Sequence, residues 1–127
     1  MLTRAFVSFD YDHDLVTKGV LLAQSKLSDS PFAIADWSIK EASPTWKSEA
    51  RSRIRRSDLV IVLCGRHTHT ATGVAEELKI AQEEGIPYFL LAGYSTGDVT
   101  KPRTAGPSDK LYKWTWDNLK NLVGGSR

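Results

Sequence analysis

The stretch SDLVIVLCGRHTHTATGVAEELKIAQEEGIPYFLLA, residues 57–92, carries the pattern that decides the fold. Its first part, residues 58–64, is a nearly unbroken apolar run rich in β-branched side chains. Such a run is expected of a strand covered on both faces. A polar loop follows, and then Val74, Leu78 and Ala81 recur at i, i+4 and i+7, the spacing of one buried helix face. The helix is expected to run from about Thr72 to Glu84 and to stop at Gly85, which can adopt the left-handed conformation that ends helices. A second apolar run, residues 86–92, closes the unit. Strand, helix of a dozen residues and strand form a right-handed βαβ crossover in a parallel sheet.

The same alternation extends to both sides. RAFVSF (4–9) is expected to be the first strand. Val16, Val20, Ala23 and Leu27 after it fall at i, i+4, i+7 and i+11 and define the expected inner face of a first helix. FAIADW (32–37) is the second strand. In the following segment Ser43 has the chemistry of an N-cap and Pro44 that of a first helical residue, with Trp46, Ala50 and Ile54 as the buried stripe and a Glu49–Arg53 pair at i, i+4 as support. Residues 93–109 form a long connection rich in Gly, Pro and Thr. KLYKW (110–114) is expected to be a short edge strand, and TWDNLKNLV a closing helix capped by Thr115. The expected architecture is a single three-layer α/β, flavodoxin-like domain over residues 1–127, with about five strands in the order 2-1-3-4-5.

Composition narrows the class. A chain of 127 residues with 41% hydrophobic and 25% charged residues has the balance of an ordinary soluble domain. A net charge of +2 is too small to argue for nucleic acid. The single cysteine, Cys64, excludes an internal disulfide and fits a reducing, cytoplasmic setting. No apolar run reaches the roughly 18 residues of a membrane helix.

In an open parallel sheet, ligands bind beyond the carboxyl ends of the strands where the strand order reverses. For the order 2-1-3-4-5 that point lies between strands one and three. The candidate rim therefore comprises Asp10, Tyr11, Asp12 and His13 after strand one, Asp36 and Trp37 after strand two, residues 65–73 after strand three, and Gly93 and Tyr94 after strand four. Several chemistries fail there. The end of strand three offers Cys64-Gly65 and no phosphoacceptor aspartate. The loop after strand one reads DYDHD and is not a hydroxyl-rich phosphate loop. Six residues after Cys64 stands Thr70, not the arginine of a cysteine phosphatase, and no glycine loop with a lysine occurs. His67, His69 and His13 lie too far from the usual spacing of zinc ligands to carry a metal site, so no metal is expected. The basic stripe Lys47, Arg51 and Arg55 reads as a solvated helix face.

Glu76 and Glu77 open onto this rim, and consecutive helix positions point about 100° apart, so only one of the two can face it. Glu77 lies beside the buried stripe. With FVSFDYDHD (6–14), SDLVIVLCGRHTHTATGVAEELKIAQEEGIP (57–87) and YKWTWDNLKNLV (112–123) in that order, the chain resembles the bacterial TIR-like domains, in particular the group containing the TIR component of Thoeris antiphage defence. The resemblance spans essentially the whole chain and is strongest in its middle block.

The resemblance implies a TIR fold and, in catalytic members, cleavage of the nicotinamide–ribose bond of NAD+, with cyclisation of the ADP-ribose part in Thoeris-type members. It carries the catalytic glutamate onto Glu77, with Gly73 standing where a tryptophan often precedes it, and matches Ser8, Phe9 and Asp10 to the family's rim. NAD+ is then a substrate, and no other cofactor is implied. On chemical grounds Asp10 or Asp12 can hold a hydroxyl or orient the glutamate. Phe9, Tyr11, Trp37 or Tyr94 can stack a ring, and the backbone near Gly73 can receive a diphosphate. Self-assembly or docking of a partner effector is the alternative, non-catalytic expectation, and binding of a nucleotide without turnover is a third.

Overall fold

In the computed structural model, which describes residues 2–38, 44–94, 98–125 and 127, the elements follow the order β1 (Thr3–Ser8), α1 (Leu15–Ser25), β2 (Phe32–Trp37), α2 (Trp46–Arg55), β3 (Leu59–Cys64), a short 3-10 turn (Thr68–Thr70), α3 (Thr72–Glu84), β4 (Tyr88–Ala92), β5 (Leu111–Lys113) and α4 (Trp116–Val123). The strands form one sheet in the order β2-β1-β3-β4-β5, and every neighbouring pair is parallel. This is the flavodoxin-like arrangement expected from the alternation of runs. β4 starts at Tyr88, after Pro87, which has no N–H to give a ladder but whose carbonyl still accepts from the Val60 N–H.

Alternate side chains of the strands enter two separate cores. Ala5, Val7, Phe9, Leu59, Ile61, Leu63, Phe89 and Leu91 pack with Leu21 of α1 and Leu119, Leu122 and Val123 of α4. On the other face Phe6, Val60, Val62, Cys64 and Leu90 pack with Ala50 and Ile54 of α2 and Val74, Leu78, Ile80 and Ala81 of α3. All six residues of β3 are buried, as its two-sided apolar run requires. α3 ends where Gly85 adopts φ 68°, its N–H donating to the Gln82 carbonyl. The Thr115 hydroxyl accepts the Asn118 N–H and caps α4.

Three local expectations are corrected. The inner face of α1 is not Val16, Val20, Ala23 and Leu27, which are exposed; the buried helical residues are Thr17 and Leu21. The reason lies in what anchors the helix. The Thr17 hydroxyl is satisfied by the Asp14 carbonyl at the helix's own start, and Gln24 accepts the indole N–H of Trp114, just after β5, at 2.9 Å, so the polar-looking side can be turned inward. The start of α2 is Trp46, with Thr45 at the cap position and Pro44 in the preceding turn; Ser43 lies outside the described residues. Trp46, Ala50 and Ile54 do form its inner stripe. Arg53 reaches Asp36 at 2.9 Å across the layer rather than Glu49, because a partner on the neighbouring strand end lies closer to its inward lean. Arg51 and Arg55 both bind Glu84, and Arg51 also binds Glu83, tying α2 to α3.

Candidate active site at the sheet switch point

Strand order reverses between β1 and β3, and the chain leaving β1 turns there at once. Asp10 organises that turn. Its Oδ1 accepts the Asp12 N–H at 3.0 Å, and its Oδ2 lies 2.7 Å from Nδ1 of His13. The Asp10 carbonyl accepts the N–H groups of His13 and Asp14. Both carboxylate oxygens are thus occupied within the turn, the ordinary use of an aspartate at such a position. The hydrogen bond that the ring N–H donates to Asp10 raises the His13 imidazole above its usual range. His13 also stacks on His67, ring centroids 3.9 Å apart.

Glu77 occupies the other wall. It sits three residues after Val74 and four before Ala81, and so lies within the buried stripe of α3 and not beside it. It is 1% exposed. Burying a carboxylate is costly unless it is hydrogen-bonded, and two hydroxyls supply the bonds. Ser8 at the end of β1 donates to Oε1 at 2.8 Å, and Ser38 just after β2 donates to the same oxygen at 2.5 Å. Ser38 is itself fixed: its N–H donates to the Val7 carbonyl, and its Oγ accepts the Phe9 N–H at 2.9 Å. Three elements of the switch point therefore converge on one carboxylate. Glu76, the preceding residue, faces outward toward Lys47.

A cleft of about 400 Å³ opens over this carboxylate, lined by Phe9, Asp10, Tyr11, Asp12, His13 and Ser38 on one side and Thr70, Ala71, Thr72, Gly73 and Glu77 on the other. The first turn of α3 forms one rim, so its N–H groups, which have no partner within a helix, border the opening. Burial, and then the Glu77 charge, push the Tyr11 hydroxyl above its usual range. Tyr11 packs against Phe9 with centroids 4.5 Å apart.

The structure thus brings together Glu77, Asp10, Ser8, Phe9, Tyr11, Asp12 and Gly73. Ser8 meets the others through Glu77, and Asp10 meets its own turn. Trp37 and Tyr94 stand apart from the cleft lining. Lys18 lies over the Trp37 ring at 4.0 Å. The Tyr94 hydroxyl donates to Asp14 Oδ1 at 3.0 Å, and Arg66 faces its ring. Strands β2 and β4 flank the switch point on opposite sides, and the Trp37 side chain meets the cleft through a hydrogen bond with Tyr11.

The remaining polar groups around the β3 end have structural partners. His69 Nδ1 lies 2.9 Å from the Thr100 hydroxyl, and the Thr100 N–H donates to the Gly65 carbonyl, so the described part of the long connection is sewn to the β3 end. Among the described residues, no group of three or more His, Cys, Asp or Glu is placed to hold a metal ion. Burial pushes the Cys64 thiol up to about 12, which makes it a packing residue at neutral pH.

The family model for the TIR-like domain of the Thoeris protein ThsB matches residues 6–93. The chain belongs to that family. The matched region runs from β1 through β4 and contains every residue that lines the cleft. A search of curated proteins returned no match. Among the described residues, this TIR-like domain has no helix long and apolar enough to cross a membrane.

Sequence reasoning missed Ser38. A serine directly after a strand resembles loop, and only the parallel pairing of β2 with β1, including a register shift between Ala5 and Phe6, places its hydroxyl between Phe9 and Glu77. The available signal was its position: a small hydroxyl residue leaving the strand next to the switch point.

Proposed function

We propose that this TIR-like domain is an NAD+-consuming enzyme that breaks the nicotinamide–ribose bond, with Glu77 as the catalytic carboxylate and a cyclic ADP-ribose-type nucleotide as the product in antiphage defence. The single observation that carries this reading is the buried Glu77 carboxylate, held by two serine hydroxyls beneath a cleft whose rim is a helix N-terminus. A carboxylate fixed in a dry setting opposes positive charge more strongly than one in water.

In the reaction, the bond between C1′ of the ribose and the pyridinium nitrogen breaks, and its electron pair leaves with neutral nicotinamide. The ribose ring acquires oxocarbenium character. Glu77 stabilises that charge and grips the ribose hydroxyls, as carboxylates do in glycoside cleavage. Ser8 and Ser38 hold the carboxylate in place through the charge change. Capture of C1′ by water yields ADP-ribose and a proton; capture by a nucleophile of the same nucleotide yields a ring. The N–H groups at the start of α3 receive the diphosphate, and Tyr11, beside Phe9 on the opposite wall, offers a face for an aromatic ring.

The test is incubation of the chain with NAD+, with chromatography of free nicotinamide and of linear and cyclic products. Nicotinamide release by the wild type that is lost in Glu77→Gln, with circular dichroism unchanged, supports the reading. Turnover that persists in Glu77→Gln refutes the site. NAD+ that binds with Glu77-dependent affinity and is never consumed, even at high protein concentration, refutes the enzyme and leaves a nucleotide-binding module.

A further inference from the structure

The imidazole of His13 is held from two sides at the cleft. Its Nδ1 lies 2.7 Å from Asp10 Oδ2, and its ring stacks on His67. The turn after β1 needs neither contact, because Asp10 Oδ1 and the Asp10 carbonyl already take the N–H groups of Asp12, His13 and Asp14. Ordering a side chain that is 44% exposed costs conformational entropy, and what the two contacts fix is the plane and the tautomer of one ring. With Nδ1–H donating to the carboxylate, Nε2 carries the lone pair, as in the carboxylate–imidazole pair of a catalytic triad. His13 lines the cleft from the wall opposite Glu77.

We propose that His13 is a second catalytic residue, the general base that takes the proton of the hydroxyl attacking C1′, with Asp10 and His67 as its positioning residues. The proposal rests on the reading of Glu77 as the carboxylate that assists departure of nicotinamide. Departure moves no proton: the bond between C1′ and the pyridinium nitrogen breaks, and its electron pair leaves with neutral nicotinamide. Capture does move one. An oxygen lone pair of water, or of a hydroxyl of the same nucleotide, forms the new bond to C1′. The O–H bond breaks, its electron pair stays on oxygen, and the proton passes to Nε2. The imidazolium, bound by Asp10, then releases that proton to solvent. A carboxylate on one wall and a base on the other suit a sugar held between them, the division by which inverting glycosidases activate water.

The charged groups that face His13 are Asp10, Asp12 and Asp14 of its own turn, and the stacked His67 comes from the loop after β3. The hydrogen bond to Asp10 is the largest influence, and it brings the imidazole up toward the neutral pH at which a general base works best. The rate of capture therefore depends on the neutral ring and falls as pH drops through the His13 titration.

The experiment gives the full chain NAD+ together with isotopically labelled nicotinamide and reads two rates, net loss of NAD+ and entry of label into it. Exchange reverses cleavage and moves no proton, whereas net loss requires capture. His13→Gln, with an unchanged circular dichroism spectrum, is expected to lower net loss by about 10²–10⁴-fold while label still exchanges. In the wild type, net loss is expected to decline on the acid side with the His13 titration. Asp10→Asn is expected to move that limb to lower pH, and His13→Gln to abolish it. Net loss in His13→Gln within about twofold of wild type, exchange that disappears together with net loss, or a limb that Asp10→Asn does not move overturns the proposal and leaves the Glu77 reading standing. A wild type that releases no nicotinamide, or release that survives Glu77→Gln, overturns that reading and this proposal with it.

Discussion

Ser38→Ala isolates the contact that holds the candidate site together. The Ser38 hydroxyl performs two tasks: it donates to Glu77 Oε1 and accepts the Phe9 N–H. Ser8, on the other side, has a hydroxyl whose observed bond is the one donated to Glu77. Removing a hydrogen bond to a charged group costs about 1.5–3 kcal/mol, and orphaning a buried N–H costs about 1–3 kcal/mol. Phe9 and both serines are buried, so water does not readily replace the lost partner. Since the two losses share one hydroxyl they do not add fully, and Ser38→Ala is expected to cost about 3 kcal/mol. Ser8→Ala, which forfeits the first kind of bond alone, is expected to cost about 2 kcal/mol. Both remain within the roughly 5–15 kcal/mol of a typical domain, so both variants fold. Urea unfolding followed by tryptophan fluorescence measures the difference, provided the slope of the transition is unchanged. Amide exchange adds a local readout: the Phe9 N–H loses protection in Ser38→Ala and keeps it in Ser8→Ala. A Ser38→Ala variant within about 0.5 kcal/mol of wild type, or no more destabilised than Ser8→Ala, refutes the assignment of two roles to one hydroxyl.

A Cβ at Gly65 falls 2.4 Å and 2.5 Å from the two carboxylate oxygens of Asp14, whose side chain is buried and bound by Tyr94. Gly65→Ala is therefore expected to cost about 1–3 kcal/mol. Most of that cost disappears when measured in an Asp14→Ala background; equal cost in both backgrounds, from thermal unfolding, refutes the clash. His13 is expected to titrate above about 6.5, its ordinary value, because Asp10 binds its protonated form. A raised imidazole stabilises the fold below its unfolded pKa, and that contribution is lost as pH rises through the folded value. Imidazole NMR titration checks it: Asp10→Asn moves His13 back down, and an unmoved midpoint shows that Asp10 is not the cause.

The strands and α3 were legible because their signals were redundant. Residues 58–64 are apolar on both faces, and the observed β3 is buried at every position. α3 carries its stripe, its glycine stop and a strand on either side, and its bounds come out at Thr72 and Glu84 as read. Local pattern set Glu77 beside the buried stripe of α3, and the family resemblance singled it out of the two acids. That it lies inside the stripe depends on Ser8 and Ser38, which make a buried carboxylate tolerable, and those hydroxyls come from two different strands. Local pattern carries no information about such a meeting; the parallel register of β1 and β2 does. Trp37 and Tyr94 show the converse. Each leaves the carboxyl end of a strand as expected, but local pattern does not give their contacts: Lys18 lies over the Trp37 ring, and the Tyr94 hydroxyl donates to Asp14.

The misreading of α1 follows from what hydrophobic periodicity measures. A row of Val16, Val20, Ala23 and Leu27 says that one face of a helix is apolar. It does not say which body covers that face. In α2 and α3 the sheet covers it, because Ile54 and Leu78 point at β-strand side chains already committed to a core. In α1 the sheet is met by Thr17, Leu21 and the half-buried Gln24, which are sufficient because the Trp114 indole and the Thr17 hydroxyl satisfy the polar groups on that side. The outer row then costs the folded monomer the exposure of several large side chains, at about 25 cal/mol for each Å² of apolar surface left in water. If selection acted on the isolated fold alone, polar residues at positions 16 and 20 would serve as well. Substituting them with serine, chosen because neither contacts the core, is accordingly expected to leave stability within about 0.5 kcal/mol. A loss of fold on that substitution would mean that the stripe is core after all.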